Sequence, residues 1–390
     1  MKKIGFSLLA SLLLVSGTFA QKSIVVINNS TLDRNAEMVE VKACNKKDCK
    51  LNKPFLLKNN DGKEIAYQLI YSDKKEVSGF IFQADVKAKS NATYWIKAGT
   101  PSPVTAKTHG RFVPERKDDF AWENDMAAYR MYGPALAKEN ASNGVDYWAK
   151  CTDKLVVDQR YKDDIYNEIS YHIDHGKGLD FYKVAHTLGC GGVAPYANDS
   201  LWVGNQFDSY QVLVDGPLRT EFTLTYNNFK VGNESYKETI TITSDAGSLL
   251  NKAVVTYSGK AQKMQLGTGI YLHDGKGRKH ETISKEYTDS TKATLLKSWG
   301  GIAYAENAVS DAGVPSGTDY VGVVVPTSLI ESKKSNEHFL LLSDYVIGSS
   351  FTYYFGAGWS KWKYPTDADW FKAVTDFSTK TKSPLKVIMK

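Results

Sequence analysis

The chain has 390 residues, 42% hydrophobic and 24% charged, with a formal charge of +6. That balance excludes a disordered or collagen-like polymer and leaves length enough for a sizeable core, in one large or two modest domains. No dense Lys/Arg run accompanies the positive surplus, so nucleic acid is not an expected partner.

The chain opens with a positive pair, Lys2 and Lys3, then an almost wholly apolar run from Ile4 to Val15. Ser16 to Ala20 then supplies small residues before a cut after Ala20. This is the pattern of a secretory signal peptide over residues 1–20. The mature protein is expected in the periplasm, with no membrane insertion and a charge of about +4 once Lys2 and Lys3 leave. No cysteine follows the cut, so no lipid anchor is expected. In an oxidising compartment Cys44 and Cys49 are expected to bridge across the Asn45–Asp48 loop, while Cys151 and Cys190 either pair or stay as free thiols.

Aromatic residues are plentiful (23 Tyr, 16 Phe, 8 Trp), which suits β-sheet. Residues 21–100 read as a small N-terminal β-sandwich. Ser23–Ile27 is a strand, Glu37–Val41 alternates, Asn59–Lys63 is a hairpin turn, and Gly79–Gln83 and Thr93–Lys97 complete the set. Gly99–Pro103 reads as a linker. Residues 104–390 read as a second, larger unit, with strands expected at Gln211–Val214, Thr220–Tyr226, Glu238–Thr243, Leu250–Tyr257 and Tyr320–Val325. Helix candidates are Asn124–Met131, which is equally a strand, and Trp370–Lys380. The expected fold is mostly β: the small sandwich, then a large antiparallel supersandwich of the kind found in mutarotases and polysaccharide lyases.

Three polar segments break the alternation. Gly110–Asp125 carries Arg111, Glu115, Arg116 and Trp122; planar guanidinium groups there can clamp a carboxylate. Tyr171–His186 holds His172, Asp174, His175, Asp180, Tyr182, Lys183 and His186. That density can arm a general base or, through His172, Asp174 and His175, hold a divalent metal. Thr187–Gly192 lacks the Lys-Ser/Thr of a phosphate loop and reads instead as close backbone approach. Further on, Arg219 begins a strand after a turn, and Tyr271 and His273 share a sheet face. Trp359, Trp362 and Trp370 suit either sugar stacking or the core.

Several of these runs resemble one family. They are Leu32-Asp33-Arg34 with Glu37–Glu40, Gly110–Asp125, Arg130–Leu136, Tyr171–Val184, Gly216–Arg219 and Asp245–Lys252. Together they are similar to the domain of unknown function 4861 family over nearly the whole mature chain; the Cys44/Cys49 insert is peculiar to this sequence. The resemblance implies an exported component of a bacterial polysaccharide-utilisation system. In at least one branch it implies dehydration of uronate-bearing oligosaccharides such as those from ulvan.

The first expectation is therefore elimination across C4–C5 of a uronate in an acidic oligosaccharide. His172, His175, Tyr182 and His186 are the candidate catalytic groups. Arg111, Glu115, Arg116, Trp122, Lys183, Arg219, Tyr271 and His273 are the candidate binding groups; the chemistry requires no cofactor, and a divalent metal on His172, Asp174 and His175 is the competing use of those residues. The alternatives are a glycoside hydrolase using paired carboxylates from Glu115, Glu123 or Asp180, and a non-catalytic glycan-binding protein.

Overall fold

The computed structural model describes residues 22–42, 51, 53–139, 141–273, 280–282, 300–326 and 329–390. The expected signal peptide and the expected Cys44–Cys49 bridge lie outside the described residues. Among the described residues no helix is long and apolar enough to cross a membrane.

Alternation builds the N-terminal sandwich. In the strand Arg34–Lys42, Val39 and Val41 are buried while Glu40 and Lys42 are exposed, so the strand has one wet and one dry face. It pairs with Val77–Val86, which pairs with Tyr67–Tyr71 to form a three-stranded sheet. The facing sheet has four strands in the order Lys386–Met389, Ser23–Asn28, Ser90–Ala98 and Phe55–Lys58. Ile24, Val26, Val39, Val41, Leu57, Phe80 and Phe82 fill the space between the sheets. The expected turn at Asn59–Lys63 is present: Gly62 takes φ +78°, and Gly62 and Lys63 donate their N–H groups back to Asn59. Lys386–Met389 falls within the stretch expected to belong to the large unit. It instead crosses back and pairs with Ser23–Asn28.

Beyond residue 104 an eight-stranded antiparallel sheet runs from an edge at Ser209–Asp215 through Arg219–Val231, Glu234–Asp245, Asn251–Ser258, Phe351–Trp359, Pro315–Val325 and Gly300–Val309 to His280–Thr282. It shares one continuous aromatic-rich core with a five-stranded sheet that includes Gly192–Ala197, Lys263–Tyr271 and His338–Val346. The mostly β, antiparallel expectation holds. A further four-stranded sheet, Val145–Trp148, Ala128–Met131, Asp119–Asn124 and Thr108–Val113, packs against this core. Every residue of its first three strands is buried.

Among the described residues two α-helices flank the sheets. Asp367–Lys382 contains the expected Trp370–Lys380 and starts at a capping box, in which Asp369 N–H donates to Thr366 Oγ1 and Thr366 N–H donates to Asp369 Oδ2. It buries Trp370 and Val374 against the large sheet. The second helix, Val157–Asn167, was not expected. Its N-cap is Val156, which offers no side-chain acceptor; the Glu123 carboxylate takes the N–H groups of Val156 and Val157 instead. Of the two readings of Asn124–Met131, the strand is correct over Ala128–Met131. Asn124 Oδ1 accepts from Met126 and Ala127 N–H and turns the chain just before it.

The glycine-rich loop is a packing device. A Cβ at Gly189 (φ +62°) would sit 2.1 Å from Val145 O, and one at Gly191 would sit 2.4 Å from Phe355 Cβ.

Candidate active site

A sheet buried on both faces must satisfy its polar residues internally. Antiparallel register sets Asp146 opposite Arg130. The Arg130 guanidinium donates from Nε to Asp146 Oδ2 at 2.6 Å, from Nη2 to Asp180 Oδ2 at 2.9 Å and from Nη1 to Tyr171 OH at 3.1 Å. Asp119 Oδ2 lies 3.6 Å away, and the rings of Tyr132 and Trp148 face the cation at 5.2 Å. Burial works against the Arg130 charge, and Asp146 and Asp180 more than offset it. Three carboxylates share one fully enclosed guanidinium. Burial accordingly pushes Asp180 well above the usual carboxylate range and Asp119 up to about 6, against the pull of Arg130 and Arg116.

Asp180 is the inner end of a polar chain that reaches the surface. His172 Nδ1 lies 3.1 Å from the Asp180 main-chain oxygen, 3.7 Å from its Oδ2 and 3.5 Å from Asp311 Oδ2. An imidazole that donates Nδ1–H toward these oxygens keeps Nε2 as its basic nitrogen. Lys183 Nζ pairs with the same Asp311. The side chains of His172, Lys183 and Asp311 are 34, 55 and 39% exposed, so a base, a cation and a carboxylate break the surface together.

On the inner side of Lys183, its main-chain oxygen lies 2.6 Å from His273 Nε2, while His273 Nδ1 lies 2.6 Å from Glu306 Oε1. Both ring nitrogens face acceptors, so His273 satisfies both only when it carries two protons. Tyr304 OH donates to Glu306 Oε2 at 3.1 Å. The rings of Tyr182 and Tyr271 both stand edge-on to His273, at 4.8 and 4.6 Å. The Tyr182 hydroxyl is buried with no hydrogen-bond partner among the described residues, and burial pushes it well above the ordinary tyrosine range.

The fold thus gathers His172, Tyr182, Lys183, Tyr271 and His273 from the expected set. It adds Asp180, Arg130, Glu306, Tyr304 and Asp311, which sequence reasoning did not assign to the elimination chemistry. Other expected residues are engaged elsewhere. Asp174 Oδ1 accepts from Gly176 and Gly178 N–H and closes a turn; His175 Nε2 faces Ser170 O at 3.1 Å; His186 meets Ala141 O. The three expected metal donors therefore turn to different partners. Among the described residues no group of three or more His, Cys, Asp or Glu is arranged to hold a metal ion.

The expected carboxylate clamps already hold protein carboxylates. Arg111 pairs with Glu115 at 2.8 Å and Asp158 at 2.6 Å, and Arg219 binds Asp245 through Nε and Nη2 at 2.6 and 3.0 Å. Arg219 lines a groove of about 610 Å³ between the N-terminal sandwich and the helix Asp367–Lys382. Arg116 Nε donates to Tyr171 OH at 3.2 Å. Trp122 is fully buried and donates to Asn251, so it cannot bind substrate. Of the three tryptophans considered for sugar stacking, Trp359 and Trp370 are core residues, while Trp362 is half-buried with Lys363 over its ring. The carboxylates considered for hydrolysis have separate partners: Glu115 holds Arg111, buried Glu123 holds Lys150 Nζ at 2.7 Å, and Asp180 holds Arg130. Cys151 and Cys190 are both free thiols, which settles that alternative.

A relative from Formosa agariphila, "Uncharacterized protein P7", is 28% identical over 386 residues, covering 93% of this chain and 92% of that one. Among solved structures, a protein in the glycosyl hydrolase family 38 from Enterococcus faecalis superposes with TM-score 0.51 at 8% identity, over 95% of this chain and 47% of that one. An α-mannosidase from Enterococcus faecalis V583 gives 0.43 at 7%, over 95% and 46%. The chain thus spans about half the length of these solved proteins, and the first likeness shows a shared fold. The family model for the domain of unknown function DUF4861 matches residues 26–387, and the chain belongs to that family.

Proposed function

We propose that the protein is an exported carbohydrate-active enzyme that eliminates across C4–C5 of a uronate in an acidic oligosaccharide. The observation that carries this reading is His172, held through Nδ1 by Asp180 and Asp311, beside Lys183 at the surface. Lys183 pairs with the substrate carboxylate in place of Asp311 and makes the C5 proton acidic. His172 Nε2 takes that proton; the C5–H electron pair forms the C4–C5 double bond and the C4–O bond breaks. The imidazolium so formed returns the proton to the departing oxygen, because the Tyr182 hydroxyl is shut away in the core and cannot reach it. His273 and Glu306 are positioning residues that fix the Lys183 main chain. The fold likeness to a protein in glycosyl hydrolase family 38 supports carbohydrate as the substrate class and leaves the reaction type to the site.

The test is incubation with saturated and unsaturated uronate oligosaccharides, read by ultraviolet absorbance and mass. A new conjugated double bond with loss of one water marks dehydration, and unsaturated fragments mark a lyase. New reducing ends without unsaturation would overturn elimination in favour of hydrolysis.

A further inference from the structure

Beside Tyr171 lies a cavity of about 100 Å³ walled by Val156, Ile169, Tyr171 and Ile173, with Arg160, His175 and Lys177 also lining it and His172 not among its walls. Arg160 is 8% exposed and donates from Nη2 to the main-chain oxygens of Ala149 and Lys177 at 2.9 and 3.1 Å. Its Nη1 is buried and has no partner among the described residues. Two more buried donors in this neighbourhood share that condition: Trp148 Nε1, whose ring lies 5.7 Å from the Arg160 guanidinium, and Nη1 of Arg116, which donates from Nε to Tyr171 OH. The surplus is of donors, and an unmet buried donor costs about 1–3 kcal/mol. The one carboxylate lining the cavity, Asp163, accepts the Gln159 and Asn167 amides on Oδ1 at 2.8 and 2.9 Å and pairs with neither Arg160 nor Lys177 among the described residues. Ile169 and Ile173 are 42 and 58% exposed and give the cavity an apolar rim.

We propose that this cavity binds the carboxylate of a small organic acid whose body is apolar on at least one face. The carboxylate takes the cationic end formed by Arg160 and Lys177, and the body covers Ile169 and Ile173. The volume admits one head-group and not a saccharide chain, and the site stands independently of the elimination chemistry.

The test is titration of the full-length protein with benzoate, benzyl alcohol and glucuronate, followed by calorimetry and ligand-observed NMR. Benzoate is expected to bind saturably and at least about tenfold more tightly than benzyl alcohol. Ile173→Trp, at an exposed position that should not affect folding, is expected to abolish that binding, and Arg160→Lys to weaken it about tenfold where the variant folds. Equal binding of benzyl alcohol, preference for glucuronate over benzoate, no benzoate binding, or indifference to Ile173→Trp would each overturn the proposal.

Discussion

Glu238 is fully enclosed in the core of the large sandwich and carries a quantitative consequence. Antiparallel register places it opposite Tyr226 on one neighbouring strand and Tyr257 on the other. Among the described residues no cation faces it; the Tyr257 hydroxyl is the one group that draws its carboxyl down, and burial outweighs it. Burial raises its carboxyl from 4.5 to about 8. The folded protein therefore holds a proton that the unfolded chain releases above 4.5. The cost is absent below 4.5, grows as pH rises, and levels off once pH passes 8. At pH 7 the interval is 2.5 units at about 1.4 kcal/mol each, a destabilisation of roughly 3 kcal/mol. Glu238→Gln keeps the shape and removes the titration. In urea unfolding at several pH values, the variant should gain on the parent by roughly 3 kcal/mol between pH 4.5 and 7. Taking the difference between the two proteins cancels every other titrating group. A difference that stays flat with pH would show that Glu238 is ionised in the fold, and the burial argument would fail.

His172→Ala should reduce turnover by at least about 100-fold with unchanged thermal unfolding, because its ring is partly exposed and replaceable. Lys183→Ala should raise KM for acidic oligosaccharides and lower kcat as well, because the cation both holds the carboxylate and acidifies C5–H; initial rates at low salt read the two together. Arg130→Met leaves Asp119, Asp146 and Asp180 without their shared cation and should cost about 3–5 kcal/mol in denaturant unfolding. Gly189→Ala must fit a methyl 2.1 Å from Val145 O at positive φ, and a lowered midpoint in a thermal melt would confirm the contact.

Legibility followed the physics of exposure. Strands with one wet face, such as Glu37–Val41 and Thr220–Tyr226, declare themselves by alternation, and the capped helix at Asp367 by its aromatic face. The strands Asp119–Asn124, Ala128–Met131 and Val145–Trp148 have no wet face, so their charges resembled a polar surface segment when they form a buried hub. Val157–Asn167 stayed hidden because its cap is Glu123, more than thirty residues upstream. In the site, His172, Tyr182 and Lys183 stood out by crowding. Glu306 and Asp311 did not, because only the sheet pairings bring them alongside. Arg219 was rightly noticed as unusual, yet its fork is closed on Asp245.

The pairing of Ser23–Asn28 with Lys386–Met389 bears on how the molecule is made. Ser23 and Lys390 exchange both main-chain hydrogen bonds, so strands from opposite ends of the sequence are zipped side by side. During synthesis the first strand emerges early and waits, with one edge open, for a partner more than 350 residues away. The N-terminal sandwich is thus finished last, although its other strands are available first. A chain cut just before Leu385 would carry a raw sheet edge suited to pairing with another copy. A circular permutant joining the two strands by a short hairpin would turn the slowest contact in the protein into a local one.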